Sequence, residues 1–348
     1  MKFSKKINIG VNTVGEGCRV FIIAEAGVNH NGNFENAKKL VDIALEAGAD
    51  GVKFQAFKTD NLILKDVKKA PYQTLTTQSG ESQYEMLKKL EFSKAQNAEL
   101  KKYCESKGIL YLVTPFDDES LEEMDDLDLA AYKIASTDTT NLPFIKKVAA
   151  KHKPVILSTG MSFMAEVESA VKEIYPENKD LILLHCTANY PVSADEVNLN
   201  VMSSYKEKID VIVGFSDHTE GIGASPYAVA AGAKMIEKHF TFDKDQPGPD
   251  HKASLSPSEL KAFVKEIRTV EKYLGSEIKK PTLSEEKTRR SLQKCLIAKN
   301  DIKKGQPIKA TDIAAKRTGG RGISPIRYKD VIGKAAVKEF KKDEVIEL

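Results

Sequence analysis

Short runs rich in Val, Ile and Leu recur along the first 280 residues, at 20–27, 51–55, 110–115, 130–136, 154–160, 181–186, 211–217 and 235–241. They lack a strict polar alternation, the pattern of strands buried on both faces of a parallel sheet. Stretches with a helical period separate most of them. Residues 33–47 put Phe34, Ala37, Leu40, Val41, Ala44 and Leu45 on one face, and Gly48 stops the helix. Residues 117–126, 141–150, 163–174 and 224–232 have similar character, and Ser256 with Pro257 opens a last helix that runs to Tyr273. Eight strands alternating with helices over this length predict an α/β fold, a (β/α)8 TIM barrel. The competing doubly wound sheet would carry a Gly-x-Gly-x-x-Gly after the first strand, and the sequence has none there. Residues 1–19 fall outside the repeat and read as a small hairpin over the barrel bottom.

Charge separates the tail from the barrel. The chain has 348 residues, with 53 Lys and Arg against 50 Asp and Glu. A net charge of +3 at this length excludes a generally polybasic nucleic-acid binder. Yet the basic excess lies in residues 281–348, beyond the polar stretch that begins at Pro281. We read residues 1–280 as the barrel, 281–290 as a linker and 291–348 as a separate unit, whose sign suits docking on an acidic surface or holding an anion. No apolar run approaches the ~20 residues of a membrane span. The first ten residues have no signal-peptide apolar core, so a cytoplasmic protein is expected. Cys18, Cys104, Cys186 and Cys295 are scattered and indicate neither a disulfide framework nor a zinc site.

The polar residues of the barrel gather at one end of the strands, the C-terminal end where such barrels carry their chemistry. Strand by strand they are Glu25; Lys53 and Gln55; Thr114; Lys133, Ser136 and Asp138; Ser158; His185 with Asn189 and Tyr190; Ser216, Asp217 and His218; and Glu237 with His239. Lys53, Lys133, Ser136, Ser158 and Ser216 form a set suited to a phosphate and a carboxylate. His218 and His239 end adjacent strands, where two neutral imidazoles suit a divalent metal with positions left for water and a carbonyl. Glu25, in the most apolar strand, is either a general acid or base or the partner of Lys53. Asp250, in the stiff loop Gln246-Pro-Gly-Pro-Asp250-His251, suits a hydroxylated substrate. His30, His152, His185 and His251 are weaker candidates.

These residues lie in motifs that resemble the sialic acid synthase family over essentially the whole chain. The motifs are Ile23-Ala-Glu25-Ala-Gly-Val-Asn-His-Asn-Gly32, Val52-Lys53-Phe-Gln55, Leu157-Ser158-Thr-Gly-Met161, Gly214-Phe-Ser216-Asp-His218-Thr, Glu237-Lys-His239-Phe-Thr241 and Gly248-Pro-Asp250. The resemblance implies a synthase that condenses phosphoenolpyruvate with an N-acyl hexose-type sugar. N-acetylmannosamine would give N-acetylneuraminate; the alternative sugar, 2,4-diacetamido-2,4,6-trideoxymannose, would give a legionaminic acid. It implies catalytic roles for Glu25, Lys53 and Lys133, and phosphoenolpyruvate contacts from Lys53, Gln55, Thr114, Lys133, Ser136, Ser158 and Ser216. It also implies sugar contacts from Asp138, Tyr190, Asp250 and Arg317, and a divalent metal, manganese, at His218 and His239. The tail resembles the antifreeze-like SAF domain, and its Lys316-Arg317 pair implies a domain-swapped homodimer in which Arg317 reaches the sugar in the partner's site. Two departures stand out: Ser136-Thr137-Asp138 replaces the family's Ser-Gly-Glu, and Thr318 replaces a proline. Lys69-Ala-Pro-Tyr-Gln73 and Glu81-Ser-Gln83 are similar to the branch that contains both legionaminic and N-acetylneuraminate synthases. A sugar-phosphate synthase would want a second basic cluster at the strand ends, and a non-catalytic carbohydrate-binding relative would be expected to have lost Glu25, Lys53 or a metal histidine.

Overall fold

A hairpin of β1 (Lys6–Ile9) and β2 (Asn12–Gly15) precedes eight strands that pair in parallel in the computed structural model, which describes residues 1–69 and 80–348. The eight are β3 (Phe21–Gly27), β4 (Gly51–Ala56), β5 (Leu110–Pro115), β6 (Tyr132–Ile134), β7 (Val155–Ser158), β8 (Leu181–Cys186), β9 (Ile212–Asp217) and β10 (Met235–His239). The ladder runs β5-β4-β3-β10-β9-β8-β7-β6, and its two ends lie side by side, so the sheet is a nearly closed barrel. All eight expected strands are present, with β6 and β7 shorter than the apolar runs that announced them.

Strand alternation divides the buried side chains into two cores. Ile22, Ala24, Val52, Phe54, Val113, Leu157, Leu183, Val213 and Ile236 face the helices. Their neighbours Phe21, Ile23, Leu112, Ala131, Ile156, Ile182, Leu184, Ile212 and Met235 fill the barrel interior together with Ile7, Ile9 and Val14 of the hairpin. The hairpin therefore closes the barrel at its N-terminal end, where a hairpin was expected from residues 1–19 falling outside the repeat. Gly15 permits its fold: φ is +145°, and a Cβ there would lie 2.2 Å from the Lys5 carbonyl oxygen.

The outer helices are α1 (Phe34–Ala47), α2 (Lys94–Lys107), α3 (Asp118–Asp125), α4 (Leu142–Ala149), α5 (Met164–Ile174), α6 (Val201–Ile209), α7 (Ser225–Ala230) and α8 (Pro257–Leu274). Asn33 caps α1 by accepting from the backbone N–H of Glu35 and Asn36, and the left-handed Gly48 ends it. Ser256 and Glu259 form a capping box on α8. The apolar pattern did not announce α2. Its buried face is only Asn97, Leu100 and Cys104, and Asn97 sits in the core because its Oδ1 accepts from Tyr111 at 2.9 Å. Among the described residues no helix is long and apolar enough to cross a membrane.

The barrel unit spans Met1–Gly275 and a second compact unit spans Ser276–Leu348. In the second, β11 (Lys294–Ala298) pairs antiparallel with β12 (Ile313–Arg317) over a core that includes Leu296, Ile302, Ile308, Val331, Phe340 and Ile346. The stretch read as a linker is helical: α9 spans Leu283–Leu292, with a Thr282–Glu285 capping box. Glu285 and Glu286 in its first turn and Arg289 and Arg290 in its last complement the helix dipole. Its stability is local, since it buries no side chain.

Candidate active site

The alternation that fills the lower barrel with apolar groups changes character halfway up each strand. Two residues above Ile23 comes Glu25; above Leu112, Thr114; above Ala131, Lys133; above Ile156, Ser158; above Leu184, Cys186; above Met235, Glu237 and then His239. Register sets their neighbours. Glu25 lies between His239 and Lys53, Gln55 beside Thr114, and Ser216 between Cys186 and Glu237.

Four buried charges occupy this layer. Lys53 Nζ stands 2.8 Å from Glu25 Oε2 and 3.7 Å from Glu237 Oε2, and donates to Thr114 Oγ1 at 2.9 Å. Lys133 Nζ stands 3.8 Å from Glu237 Oε1 and donates to the Ile134 carbonyl at 3.0 Å. Ser216 Oγ donates to Glu237 Oε1 at 3.0 Å. Two ammoniums thus balance two carboxylates, as burial of charge requires. The carboxylates are not equivalent. Burial pushes Glu25 up to about 7: the pulls of Lys53 and, more weakly, Lys133 only partly offset it, because the neighbouring Glu237 charge acts in the same direction as burial. Burial acts on Glu237 in the same direction, but Lys133, Lys53 and the Ser216 hydroxyl overcome it and hold the group at about 2. Burial lowers Lys133; for Lys53, the attraction of Glu237 and Glu25 outweighs burial and leaves it above the usual lysine range. Two carboxyls pushed apart in this way can carry different roles, one holding a proton and one holding charge.

Above them lies the histidine pair. The His218 and His239 rings are 5.7 Å apart, centre to centre, and the Tyr190 ring packs 4.1 Å from His218 and 5.7 Å from His239. His218 Nδ1 lies 2.8 Å from the Thr187 carbonyl. A proton held there leaves the Nε2 lone pair for a ligand. Among the described residues, His239 Nδ1 and Ser158 Oγ are buried without a hydrogen-bond partner. Unpaired buried polar atoms cost about 1–3 kcal/mol each, so both point to a bound group. Gly27, with φ +53°, leaves the space over this layer: a Cβ there would lie 3.3 Å from Glu25 Oε1, 3.4 Å from Gln55 Nε2 and 3.5 Å from His239 Cε1. The donor set fits a divalent ion with two protein ligands. Among the described residues no group of three or more His, Cys, Asp or Glu converges as a cage.

The remaining candidates fall around this centre or outside it. Ser136, in the turn after β6, accepts from the Gly160 N–H at 2.9 Å. Asp138 is buried in the same turn and accepts from Asn141 Nδ2 at 3.0 Å. Asp250 is buried; burial lifts it to about 6, against the attraction of His218. Arg317 is exposed on β12 of the second unit, across from Lys294. His185 faces outward, 2.6 Å from the Val197 carbonyl, and His251 Nδ1 is 2.6 Å from Thr241 Oγ1. His30 stacks on Phe92 with centroids 4.0 Å apart, and His152 is at the surface beside the Glu177 carbonyl. Residues 70–73 of the Lys69–Gln73 motif lie outside the described residues. Sequence reasoning gave no role to Glu237 or Cys186. A strict period of two, counted down from His239 for the first and up from Leu184 for the second, would have found both.

Known proteins resemble this chain along nearly its whole length. Residues 40–279 match the NeuB family and residues 293–348 match the SAF domain. The N,N'-diacetyllegionaminic acid synthase of Campylobacter jejuni subsp. jejuni is 47% identical over 94% of this chain and 99% of its own. The N-acetylneuraminate-9-phosphate synthase of Homo sapiens is 35% identical over 94% of this chain and 91% of its own. Among solved structures, the N-acetylneuraminic acid (sialic acid) synthetase from Leptospira borgpetersenii serovar Hardjo-bovis, in complex with citrate, superposes with a TM-score of 0.73 at 34% identity, over 84% of this chain and 98% of that one. The family expected from the motifs is therefore the family found: this chain is an enzyme of the NeuB family, a barrel synthase that ends in a SAF domain.

Proposed function

We propose that the barrel condenses phosphoenolpyruvate with the open-chain form of an N-acyl hexose-type sugar, giving a nonulosonic acid and phosphate. The observation that supports this most is the balanced layer of Lys53, Lys133, Glu25 and Glu237 beneath two histidines, with Ser158 Oγ unpaired beside it. Lys53, Lys133, Ser136, Ser158 and Ser216 receive the phosphate and carboxylate of phosphoenolpyruvate. An arriving anion competes with Glu25 for Lys53, and so raises the affinity of Glu25 for a proton. Carbon 3 of phosphoenolpyruvate bonds to the aldehyde carbon, water adds at carbon 2, and the carbon–oxygen bond to phosphate breaks. Glu25 takes the proton of that water. Glu237, flanked by both lysines, stays ionised and holds them in position. A divalent ion, manganese in this reading, bound at His218 and His239 supplies Lewis-acid polarisation of the sugar aldehyde.

The sugar is N-acetylmannosamine or 2,4-diacetamido-2,4,6-trideoxymannose, and the 47% identity to a diacetyllegionaminic acid synthase favours the second. Phosphate release measured with each sugar tests the proposal. Turnover with at least one is expected, lost on chelation and restored by manganese. No release with either sugar overturns the reaction, and full activity after exhaustive chelation overturns the metal.

The same reading makes the active form a homodimer in which Arg317 serves the partner's site. Inactive Glu25→Ala and Arg317→Ala chains, mixed and allowed to exchange, should then recover about a quarter of wild-type activity, since about half the dimers carry one intact site. No recovery means that Arg317 acts within its own chain.

A further inference from the structure

Two motif residues take no part in that mechanism, although each sits beside residues that do. Asp217 separates Ser216 from His218, and Lys238 separates Glu237 from His239. Because side chains alternate, both point away from the interior, and they are direct register partners across β9 and β10. There they meet. Lys238 Nζ lies 3.2 Å from Asp217 Oδ1 and donates to the Thr219 carbonyl at 2.5 Å. Asp217 Oδ1 accepts from the Thr219 N–H at 2.8 Å and from its hydroxyl at 2.6 Å; Oδ2 accepts from the Ser225 N–H at 3.0 Å and its hydroxyl at 2.6 Å. The chain after His218 is thus turned back and fastened over the Lys238 ammonium. Gly223 makes the turn possible: with φ +61°, a Cβ there would lie 1.7 Å from Thr219 Oγ1 and 3.1 Å from Lys238 Nζ.

A buried ion pair is a poor way to gain stability, since two apolar side chains of similar volume hold a fold as well or better. What this one does is join the two strands that carry the histidines, on the face opposite the site. We infer that Asp217 and Lys238 are positioning residues: the clasp they form sets His218 at the height and angle that let it share one ion with His239. The inference rests on the reading that these histidines bind a divalent ion.

Manganese binding, followed by the electron paramagnetic resonance signal of the free ion during titration of the purified full-length protein, tests it without any turnover. Wild type should take up one ion per chain, and His218→Ala should lose it. Lys238→Met leaves Asp217 with its four hydrogen-bond donors but frees the Thr219 carbonyl. It should bind manganese about 10–100-fold more weakly, the range seen when groups that orient a metal ligand are removed. Its phosphoenolpyruvate affinity without metal, and its thermal midpoint, distinguish this from general damage: the first should stay within twofold of wild type. Manganese affinity equal to wild type in folded Lys238→Met overturns the clasp and leaves the metal reading standing. No uptake by wild type overturns the metal reading and the clasp with it. Should Lys238→Met fail to fold, Ser225→Ala, which removes one hydroxyl donor from Asp217, is measured in its place. A several-fold weakening is expected there, and unchanged affinity overturns the clasp.

Discussion

The lower and upper halves of the barrel interior are built on the same strands, in the same register, and differ only in what the inward positions carry. Below, Phe21, Ile23, Leu112, Ile156, Ile182, Ile212 and Met235 interlock with the hairpin's Ile7, Ile9 and Val14. Above, the next inward positions hold Glu25, Lys53, Lys133, Ser158, Ser216, Glu237 and His239, also buried apart from the partly buried His239. The lower half gains free energy by leaving water, roughly 1.5–3 kcal/mol for each large side chain. The upper half loses hydration and recovers it only through mutual pairing, with Ser158 and His239 left incomplete. One half of the tube stabilises the fold while the other is held in place at a cost, and this separation lets the charged layer be arranged for chemistry rather than for stability.

Substitutions can break or sharpen that contrast. The largest effect is expected from Lys53→Met, which leaves Glu25 and Glu237 facing each other across the site. Stability should fall by about 3–5 kcal/mol, as when one partner of a buried pair is removed. Phosphoenolpyruvate affinity or turnover should fall about 10–100-fold or more. Urea unfolding and steady-state kinetics check both, and an unaffected Michaelis constant with unaffected turnover would remove Lys53 from the anion site. Ile182→Ala in the lower half should cost about 2–5 kcal/mol of stability, yet leave the kinetic constants of the folded enzyme within twofold. If turnover collapses as well, the two halves are not separable.

Acid tests a buried group on the helix side of the strands, His30, which stacks on Phe92 and which burial holds at about 3 against an ordinary 6.5. The folded state refuses a proton that the unfolded chain accepts. The stability from the neutral ring is therefore complete above about pH 6.5 and declines as pH falls toward 3, at up to about 1.4 kcal/mol per pH unit. Glu25, raised instead of lowered, works the other way between about 7 and 4.5. The contrast between wild type and His30→Phe isolates the histidine: the variant's urea midpoint should decline less over this range, and parallel curves would place the acid response elsewhere. The smallest effect is expected from Ser158→Ala. Removing an unpaired hydroxyl should leave stability unchanged or slightly raised, while the Michaelis constant for phosphoenolpyruvate rises several-fold. A clear loss of stability would mean that the hydroxyl already has a partner in the free enzyme.

The barrel was legible because strands buried on both faces cannot hide: Leu181–Cys186 has no other reading once turns bound it on each side. Helix α2 was not, because one of its three core positions is Asn97, whose fitness for the interior depends on Tyr111, fourteen residues away. Helix α9 was hidden by its polarity, since only its caps and charge order mark it. At the site, a Lys or Glu within an apolar run was visible for what it was. The strand's period of two sets Glu237 on the same face as His239, but its closeness to Lys53 and Lys133, which come from other strands, was not visible. The pairing of Lys238 with Asp217 depends on register between two strands, and no local pattern records register.

The hairpin at the start of the chain has a consequence beyond packing. By filling the lower mouth with Ile7, Ile9 and Val14 it acts as an electrical insulator beneath Lys53, Glu25, Lys133 and Glu237. Water rising through an open floor would screen each of these charges from the next and weaken the grip of the lysines on an anion. The first fifteen residues, remote from every reacting atom, thus belong to the circuit they protect.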